Sequence, residues 1–316
     1  MITLNMIVKN EEHCIERCLK SVLPYIDEAI IVDTGSTDRT MECISDMLYG
    51  VRHDVLERPW VNFSHNRNEA FQLLKQHTAY NSPHVMFIDA DEEFKPESTN
   101  FSLPILKHDA YYVKHVVPSG YYWRPFLMWT GVDWKYKGVV HEFITPDHWH
   151  DRLDNCAVID HFDSHRNKSQ SAAERYTKDA KLLEEEFKSG VEWSARTAFY
   201  IAESYRWAKS YREAVHWYIV RMDMEGWDQE RWWAAHMLAM TLVETDQPYE
   251  IVIRAFRRAH EIRPSRAETL VELARYQYHC GKKTEARMAL RQAHRLPMTA
   301  DTLNVNPACY RRSAQT

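Results

Sequence analysis

Asp89 and Asp91 stand one residue apart at the end of the apolar run Val85-Met86-Phe87-Ile88, and Glu92 and Glu93 follow at once. Two carboxylates so spaced, emerging from a buried strand, are a natural seat for a hard divalent cation that carries phosphates. A short continuous apolar run is what a strand covered on both faces requires, as in a parallel sheet. In open α/β sheets, ligands bind off the carboxyl ends of such strands. The competing explanation is a polar loop whose acids face water. Other phosphate-binding devices are absent from the sequence: it contains neither G-x-G-x-x-G nor G-x-x-x-x-G-K, so dinucleotide and P-loop folds are disfavoured.

The elements that must position these acids are readable upstream. Ile2–Val8 reads as a first strand, and Lys9-Asn10-Glu11-Glu12 as the opening of a helix that ends at Pro24. Ala29–Val32 reads as a second strand that runs into Asp33-Thr34-Gly35-Ser36-Thr37-Asp38, with Ser36 or Thr37 as the cap of a helix near Thr40–Leu48. Val51–Leu56 is a third strand, and Ser64 is a candidate cap for the helix carrying Arg67 and Asn68. With the run at 85–88 this gives β-α-β-α-β-α-β, a doubly wound and mostly parallel sheet. Ala110–Val117 and Tyr121–Trp129 read as an antiparallel hairpin, and Val158–Phe162 as a last strand. Tyr121, Tyr122, Trp123, Trp129, Trp134 and Tyr136 crowd this region; aromatic faces stack on sugars or bases, and they equally fill cores.

Four ordered blocks carry a resemblance. Val8-Lys9-Asn10-Glu11-Glu12, Ile31–Asp38, Phe63 with Arg67-Asn68, and Ile88-Asp89-Ala90-Asp91-Glu92 together resemble the nucleotide-sugar domain of family 2 glycosyltransferases, whose fold is GT-A. The resemblance implies transfer of a sugar, with inversion, from a nucleoside diphosphate, UDP being the expected one, to a hydroxyl or thiol. It implies that Asn10, Glu11 and Asp33 line the nucleoside pocket and that Arg67 lies near the ribose or phosphates. Asp91 would be the principal ligand of Mn²⁺ or Mg²⁺, with Asp89 supporting it. An inverting transfer needs one carboxylate to take the acceptor's proton. Glu142 is the candidate base, because a Val-His-Glu block falls about here in relatives fused to helical repeats; Asp133 is its rival. A further metal ligand is expected from His161 or, alternatively, His141. The second block departs from many relatives at Thr34, where another Asp is common, and His65-Asn66 replace small residues before Arg67.

From Ser169 onward the periodicity is helical. Ser171–Phe187 forms one amphipathic stretch. Ala214, Val252 and Ala286 then mark a weak repeat close to the tetratricopeptide period of about 34 residues. The expected organisation is a GT-A domain over 1–165, a tetratricopeptide-like helical domain over 166–300, and a loose tail over 301–316, with the hinge at 161–168. Such arrays bind partners or pair with a second copy.

The 8 glycines among 316 residues argue against a turn-dense all-β chain. No apolar run reaches the length of a membrane span, Met1–Val8 lacks a basic leader, and the six cysteines show no paired framework. The expectation is a cytoplasmic protein with reduced thiols. The net charge is −5, yet residues 251–316 hold 13 Lys and Arg against 5 Asp and Glu. An acidic partner would therefore meet the C-terminal part. The expected acceptor is a polypeptide or glycan, with a hydroxymethylated base in DNA as an alternative. The reading from another class is a non-catalytic repeat scaffold with a degenerate transferase domain.

Overall fold

The computed structural model describes residues 1–76, 82–118, 120–146, 150–161 and 171–310. The chain divides into two compact units, Met1–Lys168 and Ser169–Thr316. All of the expected hinge after His161 lies outside the described residues.

The first unit runs β1 (Ile2–Val8), α1 (Ile15–Val22), β2 (Glu28–Asp33), α2 (Thr40–Met47), β3 (Arg52–Glu57), α3 (Phe63–Gln76), β4 (His84–Phe87), β5 (Glu92–Pro96), β6 (Ala110–Val117), β7 (Gly120–Trp129), β8 (Lys135–Lys137), β9 (Phe143–Thr145) and β10 (His150–Asp160). Eight strands make one sheet in the order β3-β2-β1-β4-β7-β6-β10-β5, and β8 pairs with β9 in a small second sheet. The first four strands are parallel, as the uninterrupted apolar stretches of β1, β2 and β4 require. Beyond β4 the sheet is mixed: β7 runs antiparallel to β4 and β6 to β7, β10 is parallel to β6, and β5 is antiparallel to β10. This is the α/β, GT-A-like sheet expected from the sequence. Ile15, Cys18, Leu19 and Val22 of α1 recur at helical spacing and are buried on one side of it. Phe71 and Leu74 of α3 join a second apolar cluster with Val85, Phe87 and Met128.

Several local expectations are corrected. Residues 9–14 do not open a helix; Asn10 takes a left-handed φ of +58°, and α1 starts only at Ile15, where the amides of Cys14 and Ile15 reach Glu11 O. Asn tolerates that conformation because its short polar side chain bonds locally. Neither Ser36 nor Thr37 caps α2. The amide of Thr40 donates to Asp38 Oδ1 (3.0 Å) and that of Arg39 to Glu12 (2.9 Å). At α3 the cap is Asn62, whose Oδ1 accepts from the amide of His65 at 2.8 Å. Ser64 instead donates its hydroxyl to Gly138 O. Glu92 and Glu93 begin a strand rather than continuing the acidic turn, because Glu92–Pro96 pairs with Cys156–Asp160.

The second unit is helical: α4 (Ala172–Lys188), α5 (Ser194–Trp207), α6 (Tyr211–Asp223), α7 (Asp228–Glu244), α8 (Tyr249–Ile262), α9 (Ala267–His279) and α10 (Lys283–Ala293). Ser171 and Glu174 form a reciprocal capping box at the start of α4. Ala214, Val252 and Ala286 sit at equivalent places on α6, α8 and α10, and all three are buried. Small residues there let neighbouring helices approach closely.

Residues 301–310 are packed, not loose. Arg266, fully buried, lies 3.7 Å above the Trp232 ring and donates to Glu268, Asp301, Leu303 O and Asn304 O. Tyr310 adds a hydroxyl bond to Glu268 at 2.7 Å. One buried guanidinium thus ties the segment after α10 to the start of α9. No helix among the described residues is long and apolar enough to cross a membrane.

Candidate active site

The parallel register sets the carboxyl ends of β1, β2 and β4 side by side: Val8 pairs with Asp33, and Asn5 with Phe87. The loops that leave these strands therefore share one edge. Asp33 is buried there and accepts from the amides of Gly35 (3.0 Å) and Ser36 (3.0 Å) and from the Ser36 hydroxyl (2.5 Å). That turn needs Gly35, whose φ is +102°. Asn10 joins the same turn from β1. Its amide donates to Ser36 Oγ (3.0 Å), and its Oδ1 accepts from the amide of Thr37 (2.7 Å). The amide of Glu11 donates to Thr40 Oγ1 at 2.7 Å. Asn10, Glu11 and Asp33, far apart in sequence, are thereby brought into one braced pair of loops. Thr34 is buried, and its hydroxyl donates back to Val8 O, so this departure from the family pattern lies within the interior.

The second half of the site forms around the turn between β4 and β5. The amide of Asp89 donates to Glu92 Oε2 (2.8 Å), and that of Glu92 returns to Asp89 O (3.0 Å). Arg67 reaches in from α3, with Nη2 on Asp89 Oδ1 at 2.6 Å and Nε on Glu142 Oε1 at 2.7 Å. Its guanidinium also lies 5.6 Å from the Tyr136 ring centre. Burial opposes the Arg67 charge, but Asp89 and then Glu142 outweigh it and hold its pKa above the arginine range. Burial pushes the Tyr136 hydroxyl up to about 12.

Glu142 owes its place to the neighbour of Arg67 on α3. Asn68 exchanges two hydrogen bonds with the Tyr136 backbone, at 2.8 and 2.7 Å, and so pins β8. Lys137 pairs with Phe143, which leaves residues 138–142 as the tip of the β8–β9 hairpin. His141 is on the same tip, with a φ of +53°. Asp133 lies elsewhere: it is exposed and pairs with Lys135 (3.1 Å) and Lys75 (3.9 Å).

His161 meets Asp91 through its backbone, donating its amide to Asp91 O at 3.3 Å, while its Nε2 lies 2.8 Å from Glu93 Oε2. Among the described residues, the metal-capable side chains that converge within 4.8 Å are Glu11, His13 and Cys14, not Asp89, Asp91 and His161. Burial, then Glu11, pushes the Cys14 thiol far above its ordinary value, so it remains a thiol and a poor cation ligand. The oxygen donors at the β4–β5 turn do suit Mg²⁺ or Mn²⁺. Such cations use one or two carboxylates and complete their shell with substrate phosphates and water.

Arg124, Glu92 and His115 belong to this site and were not anticipated. Arg124 on β7 donates to Glu92 Oε2 (2.7 Å) and Asp89 Oδ2 (3.4 Å). His115 on β6 is fully buried, with Nδ1 3.3 Å from Glu92 Oε1. Burial alone would raise the Glu92 carboxyl; Arg124 and then His115 outweigh it and hold it below the usual range. Burial, then Arg124, lowers His115. An arginine set within the apolar and aromatic run Tyr-Tyr-Trp-Arg-Pro-Phe-Leu was the available signal, since a charge on such a strand needs a partner.

The model of the family described as Glycosyl transferase family 2 matches residues 3–166. The chain belongs to glycosyl transferase family 2. This family 2 chain is 37% identical over 93 residues to a TPR repeat-containing protein of Synechococcus elongatus, a match covering 29% of the chain and 21% of that protein. It is 34% identical over 98 residues to the SPbeta prophage-derived glycosyltransferase SunS of Bacillus subtilis, covering 31% and 21%. These matches thus span about a fifth of each relative's own length. Among solved structures, TarS 1-349 of S. aureus in complex with UDP-GlcNAc aligns over 91% of this family 2 chain and 90% of that one, with a TM-score of 0.39 and 13% identity.

Proposed function

We propose that this chain is a metal-dependent, inverting glycosyltransferase that moves a sugar from a nucleoside diphosphate, UDP in the first instance, to a hydroxyl or thiol acceptor. One observation carries the reading. Arg67 joins Asp89, at the end of β4, to Glu142 on a separate hairpin, and does so beside the braced loops of Asn10 and Asp33. Membership of family 2 supports it.

In this reading Asn10, Glu11 and Asp33 receive the nucleoside, and Asp91, supported by Asp89, presents a carboxylate to Mn²⁺ or Mg²⁺. The bound cation would supply Lewis-acid neutralisation of the charge that grows on the diphosphate. Arg67 supplies a second fixed positive charge near the same oxygens. Glu142 accepts the proton of the acceptor's hydroxyl or thiol as that atom bonds the anomeric carbon. As that bond forms, the bond from the anomeric carbon to the diphosphate oxygen breaks on the opposite face, and its electron pair leaves with the diphosphate. His161 or His141 would complete the cation's shell only by turning from its place here; for His161 that means leaving Glu93. The helical unit is the proposed acceptor-binding or self-pairing surface. Between α8, α9 and α10 it carries a groove of about 540 Å³ with an apolar floor of Leu270, Leu273 and Met288, bordered by Arg257, Arg291 and Arg295 against one acid, Glu285; its excess of positive charge suits an acidic segment of a polypeptide acceptor.

The test is a hydrolysis screen across nucleotide sugars with Mn²⁺, with Asp91→Ala as the control. Turnover of one donor, abolished by the substitution, is the expected result. A variant as fast as the parent removes the metal assignment. A parent that neither hydrolyses nor is thermally stabilised by any nucleotide with metal makes the domain a scaffold.

A further inference from the structure

The groove between α8, α9 and α10 is lined by two side chains whose polar atoms the fold leaves unpaired. Gln277 of α9 lines it and is 6% exposed. Its Oε1 is buried and accepts no hydrogen bond among the described residues. The backbone carbonyl of the same residue accepts from the amide of Lys282 at 2.8 Å, so the end of α9 is closed without the side chain. His260 of α8 also lines the groove, and its Nδ1 is likewise buried without a hydrogen-bond partner among the described residues. Its Nε2 lies 2.9 Å from Gln292 Nε2 of α10. An amide nitrogen only donates, so His260 Nε2 is the acceptor of that bond. Burial lowers the pKa of the ring, and the neutral ring then carries its proton on Nδ1. The groove wall therefore holds one unused acceptor, Gln277 Oε1, and one unused donor, His260 Nδ1–H. Buried polar atoms left this way cost stability, which makes each of them a feature to be explained.

We infer that Gln277 and His260 are the residues with which this groove takes the backbone of an extended, acidic polypeptide segment: Gln277 Oε1 accepts a peptide N–H, and His260 Nδ1–H donates to a peptide carbonyl. That the segment belongs to an acceptor rests on the transferase reading above. A helix has spent the N–H and C=O groups of its interior on itself, whereas an extended segment offers both. A phosphodiester backbone offers acceptors alone and would leave Gln277 Oε1 unpaired, so the pair favours a polypeptide over DNA. Successive side chains of an extended segment point to opposite sides. One set meets the apolar floor of Leu270, Leu273 and Met288, and the other, if acidic, meets the arginines of the rim.

The probe is a capped, fluorescently labelled octapeptide of alternating Glu and Leu, titrated with the full chain and read by anisotropy; an oligothymidylate of like length is the comparison. Gln277→Leu and His260→Phe should each weaken peptide binding about tenfold, because a peptide group is then buried without its partner. Gln277→Leu, which leaves the bond between His260 and Gln292 in place, is the deciding variant. Its urea midpoint should equal or exceed that of the parent, since leucine removes an unpaired buried oxygen. A stable fold with weaker binding is what a purely structural role would not give. Parent-like peptide affinity in Gln277→Leu, or a lower midpoint that reveals a structural partner for Oε1, would overturn the inference. So would an oligothymidylate bound as tightly as the peptide, or a groove filled by a second copy of the chain that the peptide cannot displace. Peptide binding that behaves as expected in a chain that turns over no nucleotide sugar would keep the backbone contacts and remove the acceptor reading. A chain that hydrolyses a donor yet binds no acidic peptide would do the reverse.

Discussion

Arg67 Nε lies 2.7 Å from the Glu142 carboxylate, so the proposed proton acceptor is held by a residue from the other side of the first unit's sequence, 75 positions away. The same guanidinium reaches Asp89. The proposed base and the proposed diphosphate end of the site are therefore set by one side chain, and their spacing cannot change without moving α3.

Glu142→Gln should lower turnover by about 10²–10⁴-fold, the usual worth of a positioned general base. The amide still accepts from Arg67, so donor affinity should change only a few-fold. Steady-state transfer rates beside calorimetric donor binding check this. A large loss of donor binding with little loss of turnover would assign Glu142 to the donor pocket instead.

Arg67→Ala should damage both functions together, because it leaves Asp89 and Glu142 without their shared counter-charge. Removing one partner of such a buried pair costs about 3–5 kcal/mol. The expected outcome is a lower urea midpoint together with weaker binding of UDP and Mn²⁺. An unchanged midpoint would mean that the bridge contributes nothing to the fold.

In the helical unit, His236 is buried against Trp232 and Thr269, and burial, with Arg266 beside it, lowers its pKa to about 3. The folded value lies below the unfolded one. Its contribution is therefore complete above about pH 6.5 and is lost as pH falls toward 3, at about 1.4 kcal/mol per unit. Thermal melts of the full chain from pH 7 to pH 4 should show a decline that His236→Gln makes shallower. An identical slope in the variant would locate the acid sensitivity elsewhere.

Arg266→Met should destabilise the helical unit by about 3–5 kcal/mol, since Glu268 would be left buried without its guanidinium and Asp301 with that of Arg263 alone. It should also release residues 301–310, seen as faster amide exchange there. Retained protection of that segment would show that Arg263, which also pairs with Asp301, suffices.

Much of the first unit was legible because burial on both faces writes continuous apolar strands, and β1, β2 and β4 do so plainly. The order of Asn10, Asp33, Arg67 and Asp89 along the chain was enough to anticipate one edge, since parallel strands deliver successive loops to the same side. What could not be read was pairing between distant strands. Nothing in the residues at 92–96 announces that they pair with 156–160, so the place of Glu92 beside Arg124 and His115 was hidden. Caps were misassigned for a similar reason. Ser36 and Ser64 are good capping residues in isolation, but their hydroxyls are engaged by Asp33 and by Gly138 O. The tail was expected to be loose because its sequence lacks periodicity; its described residues, 301–310, are held by polar contacts to Arg263, Arg266, Glu268 and Gln229, which leave no periodic trace.

The bracing of the β1 and β2 loops has a further consequence. Asn10 to Ser36 and Thr37, Glu11 to Thr40, and Glu12 to Arg39 make a ladder that joins two segments some 26 residues apart. The proposed nucleoside wall, built this way, is assembled before any ligand arrives, so on that proposal little ordering entropy is lost on docking. It also means that neither loop can drift alone: an inserted residue in one would break the register of the other, and a new nucleoside preference would require both to change in concert.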